Sequence, residues 1–145
     1  MVMTTPARPT IWLARAVGPD GFVQGTEFDP QNARVAEENL RRTGVENIAS
    51  VRVGDAIQYI AELDDQFDLI FLDIEKEDYS RVLEDCVRLL RPGGVLFVDN
   101  VAFETAGDFN DRLHSHPGLE TCFINGQFLN HSPDEDAVSI SIRRC

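Results

Sequence analysis

Residues 71–79 read FLDIEKEDY, an apolar run that meets Asp73, Glu75, Lys76, Glu77 and Asp78 in succession before Tyr79 closes the stretch. One lysine among four acids has two readings. Either a strand has ended in a solvated helix start, with Lys76 paired to Glu75 or Glu77, or Asp73 and Lys76 line a site. A second group, Asp99 and Asn100, follows the apolar run VLFV. Asp73, Asp99 and Asn100 together offer two carboxylates and an amide oxygen. These are hard oxygen donors suited to Mg²⁺ or Ca²⁺. Zinc would draw on His or Cys instead. Lys76 would then sit beside a bound cation, whose charge, with desolvation, favours the neutral amine that can act as a base.

The elements that must position these groups are short apolar runs alternating with helical patterns. That is the signature of a parallel sheet covered on both faces. The pattern predicts a helix over 9–17, a strand over 22–28 and a helix from Pro30 to Thr43, capped by Asp29 and stopped at Gly44. It continues with a strand over 48–53, a helix from GDA (54–56) to Leu63, and a central strand over 67–73. A helix over about 77–90 ends at RPGG (91–94), and a second central strand spans 95–100. A helix near 104–115 leads to strands at 119–124 and 137–142, the last antiparallel and near an edge. Six strands and about five helices make an α/β, doubly wound, mostly parallel sheet.

In such sheets ligands bind beyond the carboxyl ends of the strands. Glu27, Asp55, Asp73 and the Asp99–Asn100 pair all fall there. Each alone has an ordinary explanation as a cap or turn residue. Asp55, which leads into the helix at Ala56, is as well explained by a cap as by a ligand role. Their recurrence at the same end of successive strands is more simply explained by one site.

Composition sets the outer limits. The chain has 145 residues, 43% of them hydrophobic, which is enough for one domain with a core. No apolar stretch is long enough to cross a bilayer, and the first ten residues carry no signal-peptide core, so a soluble cytoplasmic protein without a membrane partner is expected. Cys86, Cys122 and Cys145 form neither a disulfide framework nor a zinc motif. A net charge of −12 argues against a nucleic-acid partner.

The stretches FLDIEKEDY and LLRPGGVLFVDNV (89–101) resemble the cation-dependent O-methyltransferases, the catechol and caffeoyl-CoA group and its bacterial relatives. The likeness runs from Ile11 to Ile142, with FNDRLHSHP (109–117) typical of the bacterial branch. The resemblance implies a Rossmann-like methyltransferase fold, S-adenosylmethionine as cofactor, and a small hydroxylated substrate of catechol type. By the same resemblance Asp73, Asp99 and Asn100 hold the metal and Lys76 is the catalytic base. Glu27, in GTEFDP, meets the cofactor ribose, Asp55 and Ala56 its adenine side, and Asp73 also borders the cofactor.

The family's glycine-rich cofactor loop would fall on MVMTTPA (1–7), which has no glycine, and the first strand and preceding helices are not apparent. Loop glycines let the backbone approach a ligand where side chains would collide. The expectations are therefore a single incomplete methyltransferase domain lacking its first strand, weak cofactor binding, and a homodimer that covers the exposed sheet. A non-catalytic relic serving as a binding or assembly module is the alternative. A phospho-receiver domain would need an acidic pair after its first strand, which the chain does not show.

Overall fold

The computed structural model describes residues 2–3, by their backbone, together with residues 8–127 and 135–145. The chain divides into two compact units, residues 1–59 and 60–145.

In the first unit, α1 (Arg8–Val17) buries Thr10 and Ala14 and leaves Trp12 exposed. Strand β2 (Val23–Glu27) follows, then α2 (Pro30–Thr43). The start of α2 follows from its sequence. Asp29 is extended, and its carboxylate accepts from the N–H groups of Gln31 at 2.6 Å and Asn32 at 3.3 Å. That satisfies donors which the first helical turn leaves open. Gly44 ends the helix at φ 71, a left-handed conformation that glycine adopts without steric cost. Ala33, Ala36 and Leu40 form the buried stripe of α2. Strand β3 (Ala49–Val53) runs parallel to β2, with Glu27 opposite Val53, and α3 (Ala56–Glu62) follows.

On the other side of β2, Val2 and Met3 form a two-residue strand, β1, parallel to it and opposite Gly25 and Thr26. A strand expected to be missing is therefore present, with Val2 and Met3 its described residues. The backbone groups of β2 at Gly25 and Thr26 gain ladder partners from it. Residues 1 and 4–7, onto which the rest of the glycine-free loop maps, lie outside the described residues.

In the second unit, β4 (Phe67–Leu72) and β5 (Leu90–Val98) are parallel, β7 (Glu135–Arg143) pairs antiparallel with β5, and β6 (Leu119–Gln127) pairs with β7. A 3₁₀ turn at Lys76–Asp78 leads into α4 (Tyr79–Leu89), and a second at Glu104–Ala106 leads into α5 (Gly107–Ser115). Helix α4 packs against β4, β5 and α5. Val82, Leu83, Cys86 and Leu89 of α4 are fully buried, as are Ile70, Leu72, Leu96 and Val98 of the strands. Burial of each large aliphatic side chain contributes about 1.5–3 kcal/mol, so the strand ends that carry the acids rest on a well-anchored core.

Two sequence expectations change here. RPGG does not separate helix from strand. Leu90 already pairs with Phe67, and residues 91–94 form an irregularity inside β5 before Val95 pairs with Leu69. Gly94 permits this, because a Cβ there would lie 3.1 Å from the Phe67 carbonyl oxygen and 2.8 Å from that of Arg91. Strand β7 is antiparallel and lies next to the edge strand β6, as expected. Its alternation is inverted, however: Ser139 and Ser141 are wholly buried, whereas Ile142 is 49% exposed. The Ser141 hydroxyl satisfies itself on Thr121 at 2.9 Å.

Candidate functional site

The parallel pairing of β4 and β5 sets Leu72 opposite Val98. Asp73 and Asp99 therefore leave the sheet side by side. The ladder continues one step, with the Asp99 N–H donating to the Leu72 carbonyl at 3.1 Å. After Asp73 the chain tightens into the 3₁₀ turn, which swings Lys76 back over it. Lys76 Nζ lies 3.4 Å from Asp73 Oδ1 and donates to the Ile74 carbonyl at 3.2 Å. The lysine is not a surface residue paired with Glu75 or Glu77. Its side chain is only 19% exposed, and its ammonium lies between the rings of Tyr79 at 5.8 Å and Phe103 at 5.9 Å. Two aromatic faces and one carboxylate thus hold a half-buried cation in place.

Asn100 is the only described non-glycine residue with positive φ, at 53. Asparagine tolerates this region better than most residues, and backbone strain of this kind clusters at functional sites. The turn lets the Asn100 N–H donate to Asp99 Oδ1 at 3.0 Å, while its Nδ2 donates to Asp136 Oδ2 at 2.6 Å. Burial pushes the Asp99 carboxyl above its ordinary range; the Asn100 N–H opposes the shift, Asp73 and Asp136 add to it, and Lys76 opposes it. Three acids thus crowd one lysine, leaving negative charge that a divalent cation would relieve.

Two residues at the site have no role in the sequence reading. Tyr79 is fully buried, and its hydroxyl donates to the Asp99 carbonyl at 2.9 Å, with its ring 5.2 Å from that of Phe109. Burial, reinforced by Asp73, Asp99, Asp136 and Glu75, pushes that hydroxyl far above its ordinary value, so it stays a neutral donor. Asp136 is only 4% exposed in β7. The sequence signal for Tyr79 was its place three residues before Val82, in line with the apolar stripe of α4, whereas Asp136 hid in DED beside a strand whose buried face is polar.

In the first unit, Glu27 is 8% exposed at the end of β2, and its Oε1 accepts from the Asp29 N–H at 2.9 Å. Gly54 donates to the Glu27 carbonyl at 3.0 Å and has φ 154, a conformation that side chains rarely adopt. Asp55 caps α3, with Oδ1 accepting from the Ile57 N–H at 2.8 Å. The cap explanation is therefore realised there, and a ligand role would fall to its other oxygen and to the backbone at Ala56.

Residues 9–123 match the family model described as O-methyltransferase, so the chain belongs to that family. It is 44% identical over 93 residues, 63% of this chain, to a catechol O-methyltransferase of Mycobacterium tuberculosis, covering 42% of that protein. It is 38% identical over 115 residues, 77% of this chain, to one from Niastella koreensis, covering 51% of it. The chain thus spans about half the length of these curated relatives. Among solved structures, cofactor-bound Rv0187 from MTB aligns over 99% of this chain and 71% of its own, with TM-score 0.89 and 32% identity. The O-methyltransferase TomG from Streptomyces achromogenes, in complex with SAM, aligns over the same shares with TM-score 0.90 and 25% identity. The methyltransferase-type α/β fold is thereby established.

Among the described residues no three His, Cys, Asp or Glu side chains form a metal-holding group. The expected set differs in kind, since it has two carboxylates and the Asn100 amide oxygen. Among the described residues, no helix is long and apolar enough to cross a membrane.

Proposed function

We propose that the protein transfers a methyl group from S-adenosylmethionine to a hydroxyl of a catechol-like or other small hydroxylated acceptor, assisted by a divalent cation, Mg²⁺ or Ca²⁺. The observation that carries this reading is the half-buried Lys76 set against Asp73, beside the Asp99–Asn100 turn. Asp73, Asp99 and the Asn100 amide oxygen would hold the cation, as hard oxygen donors with an excess of negative charge. A bound cation supplies Lewis acidity that lowers the pKa of the acceptor hydroxyls. Lys76 Nζ takes the acceptor's proton, and its two flanking rings keep the amine at one place. Proton transfer by a positioned group of this type contributes about 10²–10⁴-fold in rate.

Glu27 would accept hydrogen bonds from the cofactor's ribose hydroxyls through the oxygen that does not bind Asp29. Asp55 and Ala56 would meet its adenine side, and Asp73 its border with the acceptor. The test pairs calorimetric titration of S-adenosylmethionine with an assay of methyl transfer to catechol, with Mg²⁺ and with excess chelator. Saturable heat and chelator-sensitive transfer are expected. Absence of both refutes the reading.

Assembly as a homodimer belongs to the same proposal. Its support is the apolar face of β6 and β7, where Ile124 and Ile142 are 50% and 49% exposed. Light scattering at micromolar concentration should give twice the chain mass, and a monomer would refute it.

A further inference from the structure

An amide has an oxygen end and a nitrogen end of nearly equal shape, so an asparagine ligand serves a cation only if something decides which end faces it. At Asn100 that decision has a visible source. Asp136 projects from the start of β7 and is 4% exposed. Its Oδ2 accepts from Asn100 Nδ2 at 2.6 Å, and its Oδ1 accepts from the Ala137 N–H at 2.7 Å. An ionised carboxylate only accepts hydrogen bonds. Turning the Asn100 amide over would place its oxygen against that carboxylate and exchange a charge-assisted hydrogen bond for a repulsion.

The backbone reinforces the contact. Val101 donates to the Ala137 carbonyl at 2.9 Å, which ties the residue after Asn100 to the residue after Asp136. Asn100 itself is held at φ 53. The turn after β5 and the start of β7 are therefore laced together at two adjacent residues on each side. A carboxylate meets both demands there, because each N–H donor finds its own acceptor oxygen. Asparagine would offer one oxygen for two donors and no preference for amide orientation.

We propose that Asp136 is a positioning residue that fixes the Asn100 amide with its oxygen turned away from β7, ready to ligate a divalent cation. This rests on the cation reading above. Outer partners of metal ligands orient them and tune affinity, and their loss typically costs about 10–100-fold.

The test uses Mn²⁺ alone as probe, with free Mn²⁺ read by electron paramagnetic resonance. Wild type should bind saturably. Asp136→Ala and Asp136→Asn should bind about 10–100-fold more weakly, while Glu120→Gln, which removes an exposed acid of β6, should bind as wild type does. A second readout needs no metal. The side-chain amide pair of Asn100 in a ¹⁵N–¹H spectrum, identified by its loss in Asn100→Asp, should have one proton shifted far downfield and should lose that shift in Asp136→Asn. If Asp136→Ala does not fold, Asp136→Asn carries both measurements, and unfolding of both variants would overturn a positioning role. Wild-type affinity and an unmoved amide pair in folded Asp136→Asn would overturn the inference alone. Failure of wild type to bind Mn²⁺ would refute the cation reading and this inference with it.

Discussion

Removing one oxygen, in Tyr79→Phe, isolates what holds Asp99. The ring stays packed on Phe109, so no apolar contact is lost. What disappears is the 2.9 Å hydrogen bond to the Asp99 carbonyl. A typical hydrogen bond contributes about 0.5–1.5 kcal/mol net, but a carbonyl left buried without a donor costs about 1–3 kcal/mol. Which figure applies depends on whether water can take the hydroxyl's place. Tyr79 is wholly inaccessible, and deleting one oxygen leaves a space smaller than a water molecule. The larger cost therefore governs, and a loss of about 2 kcal/mol is expected. With an unfolding entropy of about 2.1 cal/mol/K per residue, that lowers the melting temperature by about 7 °C.

The assay is urea and thermal unfolding of metal-free wild type and variant, followed by Mn²⁺ titration of both. Because Tyr79 holds the Asp99 peptide and not its carboxylate, cation affinity should fall by about tenfold, the lower end of such effects. An unchanged urea midpoint with an unchanged slope would show that the carbonyl finds another donor, and the argument for Tyr79 as the support of this strand end would fail.

Lys76→Met should lower methyl transfer by about 10²–10⁴-fold while leaving Mn²⁺ affinity within a few-fold, and equal loss of both would deny it a base role. Asp99→Asn should abolish saturable Mn²⁺ binding yet leave the metal-free protein as stable or more so. Burial and its acidic neighbours raise the Asp99 carboxyl, so in the metal-free protein its stabilising contribution is full below the unfolded carboxylate value and is lost as pH rises through the folded one. A clear fall in metal-free stability at pH 7 would contradict this. Cys86 is buried and its thiol is pushed up to about 12, chiefly by burial, whereas Cys122 and Cys145 are exposed. Two thiols should react with a disulfide reagent at pH 8 and the third only on unfolding. Because the raised thiol favours the protonated folded form, stability should hold below pH of about 8.5 and decline above it, by up to about 1.4 kcal/mol per pH unit. Three fast thiols would show that α4 opens readily.

Much of the architecture was legible because local chemistry and global pattern agree. Asp29, Pro30 and Gly44 bracket α2 as capping chemistry requires. The two apolar runs ending at Leu72 and Val98 read as strands because they are apolar on both faces, and helix α4 packs against both of them. The misreadings have a common origin in cross-strand partners. RPGG looks like a helix stop, and nothing local reveals that Leu90 already pairs with a residue 23 positions earlier. The alternation AVSISI gives the strand but not its buried face, because a serine satisfied by a neighbouring hydroxyl, as Ser141 is by Thr121, can be buried as readily as an isoleucine.

The site divides along the same line. Asp73, Lys76, Asp99 and Asn100 stand out in the sequence because they follow the ends of apolar runs, whereas the roles proposed for them come from the family resemblance. Lys76 could not be told from a surface lysine until its distance from Asp73 and the rings of Tyr79 and Phe103 were known. Asp136 lies 36 residues from Asn100, and only the antiparallel return of β7 beside β5 brings the two together. A ligand's own type is a local property of the chain, but its orientation is set by whatever the topology lays against it. By the two-residue period of a strand, Asp136 shares its face of β7 with Val138 and Ile140 and not with Ser139 and Ser141. The acceptor for the Asn100 amide is therefore one buried acid on an otherwise apolar face, which the alternation of AVSISI does not disclose.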